Sequence, residues 1–174
     1  MHPASHFRYC PSCGSPREPV VAQPVQCSVC SFTLFMNTTC ATAAFLVRPD
    51  GRVLFIRRAH EPAIGTLAIP GGFVDEGEMA EDALRREFRE EVGIDPGELQ
   101  FLCSHPNTYQ YKNVAYPVLD FFFTAHASGD EEAMPLDGVA ECYWIEPKDV
   151  DPAELAFPSM SFALQRYLEL TPTA

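Results

Sequence analysis

From residue 38 onwards, apolar and polar positions fall into short runs separated by turn-forming residues. Short runs rich in β-branched and aromatic side chains are typical of strands. Pro49-Asp50-Gly51 separates two of them and favours a hairpin turn. The pattern predicts strands at 42–47, 53–57, 67–73, 98–104, 114–127 and 143–145, the third of them broken by its glycines.

Two other segments repeat their apolar residues at the helical period. Ala80, Leu84, Phe88 and Val92 recur at every fourth position, which predicts a helix with one buried face. Gly93 can adopt left-handed backbone angles and would end this helix. Residues 159–170 predict a second helix. Strands with one helix for each face predict an α/β/α sandwich with a mixed sheet.

The chain before residue 38 has a different composition. It is rich in proline and cysteine and has no strand-like runs. We therefore expect two parts, a small module at 1–37 and a main domain at 38–174.

Three glutamates of the first predicted helix share one side of it. Glu87, Glu90 and Glu91 are spaced i, i+3 and i+4, so their carboxylates converge. Arg86 lies one turn before Glu90, close enough for a charge-assisted hydrogen bond. Converging carboxylates repel one another unless a cation lies between them, and Mg²⁺ is a hard cation that prefers oxygen ligands. The alternative is an acidic helix face turned to water.

The surroundings of these glutamates carry a resemblance. The skeleton is Gly72, Glu78 and the run 86–94, which reads Arg-Glu-Phe-Arg-Glu-Glu-Val-Gly-Ile. It resembles the Nudix box, the signature of hydrolases that cut nucleoside diphosphates linked to another group, although Phe88 replaces the usual aliphatic residue. The runs at 69–72 and 75–78 also look like the family's loop. These matches favour the box over a solvated helix and imply the Nudix α/β/α sandwich.

The resemblance implies roles for the box residues. Glu87 and Glu91 would be the main ligands of Mg²⁺ or Mn²⁺, with Glu90 as a further ligand. A backbone carbonyl near Gly72 would join them, and Arg86 would hold one carboxylate in place. Such cations neutralise pyrophosphate charge and lower the pKa of a bound water.

The attacking water also needs a base. Box glutamates can serve, but in many family members the base comes from a later loop. Glu141, shortly before Trp144, is our candidate, and Asp137 is the second choice. For Glu141 the alternative is an exposed carboxylate at a strand end.

Two Cys-x-x-Cys pairs near the amino end form a second motif. Cys10 with Cys13 and Cys27 with Cys30 have the spacing of two zinc knuckles, which together supply a Cys₄ shell. Four thiolates leave no open position, so the zinc would be structural. Two disulfides are the alternative. The odd total of seven cysteines and the absence of a leader pattern favour a reducing, cytoplasmic location.

The ribbon followed by the box narrows the resemblance to the zinc-ribbon Nudix group, which includes NADH pyrophosphatases and plant enzymes acting on ADP-ribose or FAD. The former carry Ser-Gln-Pro-Trp-Pro-Phe after the box. Here residues 104–109 read Ser-His-Pro-Asn-Thr-Tyr and keep only the serine and the first proline. The runs 141–144 and 155–159 look more like the plant enzymes. The substrate implied is ADP-ribose, FAD or NADH, with NADH disfavoured.

Substrate-binding residues are expected outside the box, because every candidate substrate shares the pyrophosphate. We predict a specificity loop at 104–112. Tyr109, Tyr111 and Phe157 could stack on adenine, and Lys112 could pair with a phosphate. Packing in the core or at its rim is the alternative for each aromatic ring.

Charge and hydropathy limit the partners. The net charge is −12, from 12 basic and 24 acidic residues, so the chain offers no basic track for general nucleic-acid binding. No apolar run is long enough to cross a bilayer. We expect a small-molecule nucleotide as substrate, and the resemblance implies a homodimer. The alternative function is a regulatory module that binds a nucleotide without turnover, for which damaged box carboxylates would be expected.

Overall fold

The computed structural model describes residues 1–18 and 24–171. Its helices are α1 (Ala80–Val92) and α2 (Pro158–Leu170), with short 3₁₀ turns at Pro3–His6, Pro147–Asp149 and Pro152–Glu154. Its strands are β1 (Val25–Gln26), β2 (Thr33–Leu34), β3 (Thr39–Val47), β4 (Val53–Arg58), β5 (Leu67–Ala68), β6 (Gly71–Phe73), β7 (Leu99–Tyr111), β8 (Val114–His126) and β9 (Val139–Ile145). None of the helices in the described part is long and apolar enough to span a membrane.

The larger sheet is mixed, as predicted. Its main order is β5-β4-β3-β8-β7, while β6 pairs with β3 and β9 pairs with β4. Strands β3 and β8 run parallel over the whole length of β3, and the other pairs are antiparallel. Strands β1 and β2 form a separate two-stranded sheet.

Each face of the large sheet packs against one helix. Leu84, Phe88 and Val92 of α1 are fully buried with Ala44 and Leu46 of β3. The alternate residues of β3 face α2 in a second core, where the rings of Phe45 and Tyr167 stack 5.0 Å apart; Phe55, Phe122 and Leu164 complete its centre. The alternation along β3 therefore produces the predicted α/β/α sandwich.

The segment 104–112 is not the predicted loop, and its role in specificity stays a prediction. Strand β7 continues to Tyr111 and pairs with β8 along this segment, from Ser104 opposite Phe121 to Tyr111 opposite Val114. Pro106 does not interrupt this strand, because β7 is an edge strand, where a residue without an N–H is tolerated. The segment therefore presents alternate side chains to one face of the sheet.

Candidate active site

An open cavity of about 380 Å³ lies beside α1, between the glycines of β6 and the start of α2. Its volume is within the range of small-molecule sites. Carboxylates dominate its polar lining, namely Glu61, Asp75, Glu87, Glu90, Glu91, Asp120 and Asp137. Among the described residues that line it, Arg58 is the only arginine or lysine. An anionic ligand in this cavity would be repelled unless cations accompanied it.

Arg86 organises the box helix. Its Nη1 donates to Glu87 over 2.7 Å and to Glu90 over 3.2 Å, so the predicted Arg86–Glu90 contact is present. Its other nitrogens donate to Glu78 over 3.0 and 3.1 Å and to the Phe73 carbonyl over 3.0 Å. These hydrogen bonds lower the pKa of Glu78, and Glu78 and Glu87 raise the pKa of Arg86. One guanidinium thus ties the box loop to the helix.

Glu91 points into the protein rather than toward Arg86. Its carboxylate accepts a hydrogen bond from the Gly71 N–H over 2.9 Å. Burial raises its pKa to about 8, against the effect of this hydrogen bond, and the charges of Glu87 and Asp137 add to the rise. Burial also raises the pKa of Glu87, although Arg86 opposes it. A cation beside these two groups would favour their ionised form.

The two glycines of β6 are required by close contacts. Gly71 has φ +147°, and a Cβ there would overlap the Thr42 carbonyl. A Cβ on Gly72 would overlap the Glu87 carboxylate. Glycine therefore lets the backbone lie directly against the acidic side of α1.

The donor set of this cavity fits a hard divalent cation. Glu87, Glu90 and Glu91 all face the cavity and offer only oxygen ligands. Their oxygens do not converge on one point here, because Arg86 holds Glu87 and Glu90 while Gly71 holds Glu91. Among groups of three or more His, Cys, Asp or Glu in the described residues, only the four cysteines near the amino end have possible ligand atoms within 4.8 Å of one another. The ligand roles of the glutamates and of Gly72 stay predictions.

The two candidate bases lie in different places. Asp137 lines the cavity, and its N–H donates to the Glu90 carbonyl over 3.2 Å. Glu141 lies on β9 opposite Arg57, with a distance of 3.8 Å between Arg57 Nε and its carboxylate, and does not line the cavity. The structure therefore brings our second choice to the box, and not the first.

The four predicted substrate-binding residues also separate. Tyr109 and Phe157 line the cavity, with ring centroids 5.9 Å apart. Tyr111 and Lys112 lie at the tip of the β7–β8 hairpin, where the Lys112 ammonium lies 5.2 Å from the Tyr111 ring. They do not line the cavity.

Arg58 and Asp120 also line the cavity, and neither is among the predicted site residues. Arg58 follows an irregularity in the pairing of β4 with β9, and its guanidinium lies 5.4 Å from the Phe157 ring. Asp120 lies in β8 and is only 8% exposed. Its position inside the apolar run 118–123 was a usable signal, because a charge in a buried strand is rare unless it has a partner.

The four cysteines of the two knuckles form one cluster. Cys10 Sγ lies 3.7 Å from Cys30 Sγ, and Cys13 Sγ lies 3.8 Å from Cys27 Sγ. A tetrahedral zinc with Zn–S bonds of about 2.3 Å requires S–S separations of about 3.8 Å, so the cluster fits this ion. All seven cysteines are free, and none of the four lines the cavity.

The two knuckles also have the same kind of backbone turn. In each, the first cysteine's carbonyl accepts from the residue four positions later, Gly14 or Ser31, over 2.9 and 3.0 Å. Both of these residues have left-handed backbone angles. Hydrogen bonding from the Ser15 hydroxyl lowers the pKa of the Cys27 thiol to about 6. Against a backbone hydrogen bond from Phe32, Cys13 and burial raise the pKa of the Cys30 thiol to about 11. A metal ion would favour the thiolate form of both.

Comparison with known proteins agrees with this geometry. The model of the NUDIX domain matches residues 37–165. The NAD-capped RNA hydrolase NudC of Pseudomonas putida is 25% identical over 150 residues, covering 86% of this chain and 51% of that protein. The ADP-ribose pyrophosphatase of Methanocaldococcus jannaschii is 43% identical over 51 residues, covering 29% of this chain and 30% of that protein.

A solved structure is also similar. The NUDIX domain of Shewanella oneidensis NrtR, complexed with ADP ribose, is 25% identical, with a TM-score of 0.65 over 79% of this chain and 91% of that one. The chain spans about half the length of the NudC proteins it matches. The box in the sequence, its position on the cavity wall and the extent of the domain match together show that this chain belongs to the Nudix family.

Proposed function

We propose that this protein hydrolyses a pyrophosphate bond in a nucleoside diphosphate derivative, and that its substrate is an adenine dinucleotide or an ADP-sugar. The observation that carries the proposal is the cavity itself. Box carboxylates suited to divalent cations line one side, and Tyr109 and Phe157 line another. A phosphate group needs the cations that the carboxylates would bind, and a nucleobase can stack on the aromatic rings. ADP-ribose and NAD-capped RNA, named for the related proteins, contain both groups.

The chain's own residues have separable tasks in this reaction. Arg86 fixes the directions of Glu87 and Glu90, and Gly71 fixes Glu91. Arg58 is placed to contact a phosphate oxygen, because its charge is near Glu91 and its guanidinium is near Phe157. Mg²⁺ or Mn²⁺, when bound by the glutamates, would neutralise the phosphate charge and activate the water.

Asp137 is our preferred base for the attacking water. The N–H groups of Met134, Leu136 and Asp137 donate to the carbonyls of Val92, Glu91 and Glu90. This ladder fixes the Asp137 backbone against the end of α1 and beside the box glutamates.

Replacing each candidate base tests this assignment. We expect Asp137→Asn to lower kcat by about 100-fold or more, the usual contribution of a general base. Glu141→Gln removes the same charge from a carboxylate paired with Arg57, and should have a smaller effect. The measurement is kcat at saturating substrate and Mg²⁺. A larger loss in Glu141→Gln would return the base to Glu141.

A second prediction concerns the aromatic residues that line the cavity. Tyr109→Ala should raise KM more than it lowers kcat, because stacking acts alike on the ground state and the transition state. A base–aromatic stack contributes roughly 1–3 kcal/mol, so kcat/KM should fall by about tenfold. Tyr111→Ala is the matched control, since this ring lies outside the cavity. Equal losses in both variants would move base binding to the hairpin tip.

A substrate panel tests the function as a whole. ADP-ribose, FAD, NADH, NAD, NAD-capped RNA, diadenosine polyphosphates and nucleoside triphosphates should be incubated with Mg²⁺ or Mn²⁺ and their products separated. We expect AMP to be released from ADP-ribose or FAD faster than from NADH. Tight binding of a nucleotide without any product would contradict hydrolysis and support the regulatory module. The homodimer and the cytoplasmic location stay predictions.

A further inference from the structure

Asp120 is a buried acid that the chemistry described so far does not use. It lies in the middle of β8, is 8% exposed and lines the cavity. Burying a carboxyl group away from water is costly unless partners satisfy it. Neighbouring residues Val118 and Phe122 on the same face of β8 are apolar and buried. A polar side chain at this point requires an explanation.

The protein's own donors use only part of the hydrogen-bonding capacity of this carboxyl group. The Ser159 hydroxyl donates to Asp120 Oδ2 over 2.5 Å, and Ser159 is fully buried at the start of α2. An interaction with the Asn107 side chain also lowers the pKa of this carboxyl group. Burial raises the pKa of Asp120 against the effect of both. An ionised carboxylate has about four acceptor positions, so the Ser159 hydroxyl leaves capacity unused in a residue that lines the cavity.

Aromatic rings surround the Asp120 carboxyl group, whose hydrogen-bonding capacity is partly unused. Strand pairing places His105 opposite Asp120, Asn107 opposite Val118 and Tyr109 opposite Tyr116, so Asn107, Tyr109 and Asp120 share the face that packs on α2. The centroid of the Tyr109 ring lies 5.1 Å from that of Phe73 and 5.9 Å from that of Phe157.

The gap between Tyr109 and Phe157 is too narrow to hold a base between them, since two stacked contacts of about 3.5 Å each need about 7 Å. A base would therefore lie on one face of the aromatic cluster. The edge of the nucleobase would then be free to meet a polar group of the cavity wall. A flat apolar surface with a few fixed polar groups is typical of a ligand site in which the polar groups provide specificity.

We propose that Asp120 determines the base specificity of this site by accepting a hydrogen bond from the exocyclic amino group of adenine. This inference rests on the proposed function and names the part of the substrate that the protein selects. A carboxylate accepts from N–H donors, and an amino group supplies them. A base without that donor would leave the buried carboxyl group unpaired, which a site of this kind strongly disfavours.

A purely structural role for Asp120 makes different predictions. In that case the carboxyl group only anchors the start of α2 through Ser159. Asp120→Ala and Ser159→Ala would then both lower Tm, and neither would change the preference between two bases. Base preference therefore separates the two roles.

The experiment measures binding by calorimetry, with the whole chain and with saturating Mg²⁺, because an anionic nucleotide in this acidic cavity needs an accompanying cation and a nucleoside monophosphate has no pyrophosphate bond to cut. The probes are AMP, purine riboside monophosphate, which has hydrogen in place of the amino group, and IMP, which has an oxygen there. The wild type should bind AMP at least about tenfold more tightly than the purine nucleotide, as expected for one hydrogen bond to a charged acceptor. In Asp120→Ala the two affinities should become equal, while Ser159→Ala should keep the difference.

A second variant covers the case in which Asp120→Ala does not fold. In Asp120→Asn, the amide oxygen would accept from Ser159 and the amide N–H₂ would face the cavity. The preference should then shift from AMP toward IMP. Equal binding of AMP and the purine nucleotide by the wild type, no binding of AMP, or an unchanged ratio in the Asp120 variants would overturn the proposal. Hydrolysis of ADP-ribose is measured separately, so failure of the proposed function would be recognised independently.

Discussion

Glu91→Gln should remove most of the turnover and leave the fold intact. Glutamine has nearly the same shape, and its amide oxygen can still accept from the Gly71 N–H, which donates to Glu91 over 2.9 Å. The change removes one negative ligand from a site that must hold divalent cations beside an anionic substrate. Loss of a group that merely supports a metal ligand costs about 10–100-fold. For a direct ligand we expect kcat to fall by at least about 100-fold.

Stability should respond differently from activity. Burial raises the pKa of Glu91, so its ionised form is unfavourable in the folded protein without metal. A neutral glutamine does not carry this cost, and Tm measured without divalent cation should not fall. Glu81→Gln is the matched control, because Glu81 is an exposed residue of the same helix and loses the same charge. Near wild-type turnover in Glu91→Gln would show that Glu91 is not a metal ligand.

The sequence predicted the box helix well because several local signals agreed. The apolar row ending in Val92 predicted the buried face, and Gly93 ends the helix with φ +71°. The i, i+3 and i+4 spacing placed the glutamates on the cavity side. The cysteine spacing predicted the four-thiol cluster in the same way, because each knuckle joins two cysteines that are three positions apart in sequence.

Features that depend on strand pairing could not be predicted. Glu141 precedes Trp144 on β9, but the register of β9 with β4 places it opposite Arg57 and away from the cavity. Asp137 reaches the box only because its segment bonds to the end of α1. The sequence alone does not distinguish Tyr109 from Tyr111. The length of the β7–β8 hairpin decides that the Tyr109 ring lines the cavity and that the Tyr111 ring lies at the hairpin tip.

Removing the cysteine cluster should have the second large effect, and it should be confined to the amino-terminal module. We propose that this cluster binds one structural zinc per chain. Zinc binding by such small modules provides about 10–16 kcal/mol and is coupled to their folding. Cys10→Ser should therefore abolish stoichiometric zinc, measured by elemental analysis of protein purified without chelator. It should also make the segment before residue 38 sensitive to protease.

The main domain should survive this loss. Strands β1 and β2 form their own sheet, and none of the four cysteines lines the cavity. Turnover per folded chain should therefore remain close to the wild-type value. Cys103→Ser is the matched control, because Cys103 is a half-buried cysteine of β7 outside the cluster and its replacement should leave zinc in place. Full zinc content in Cys10→Ser, or its loss in Cys103→Ser, would refute the assignment of the metal to this cluster.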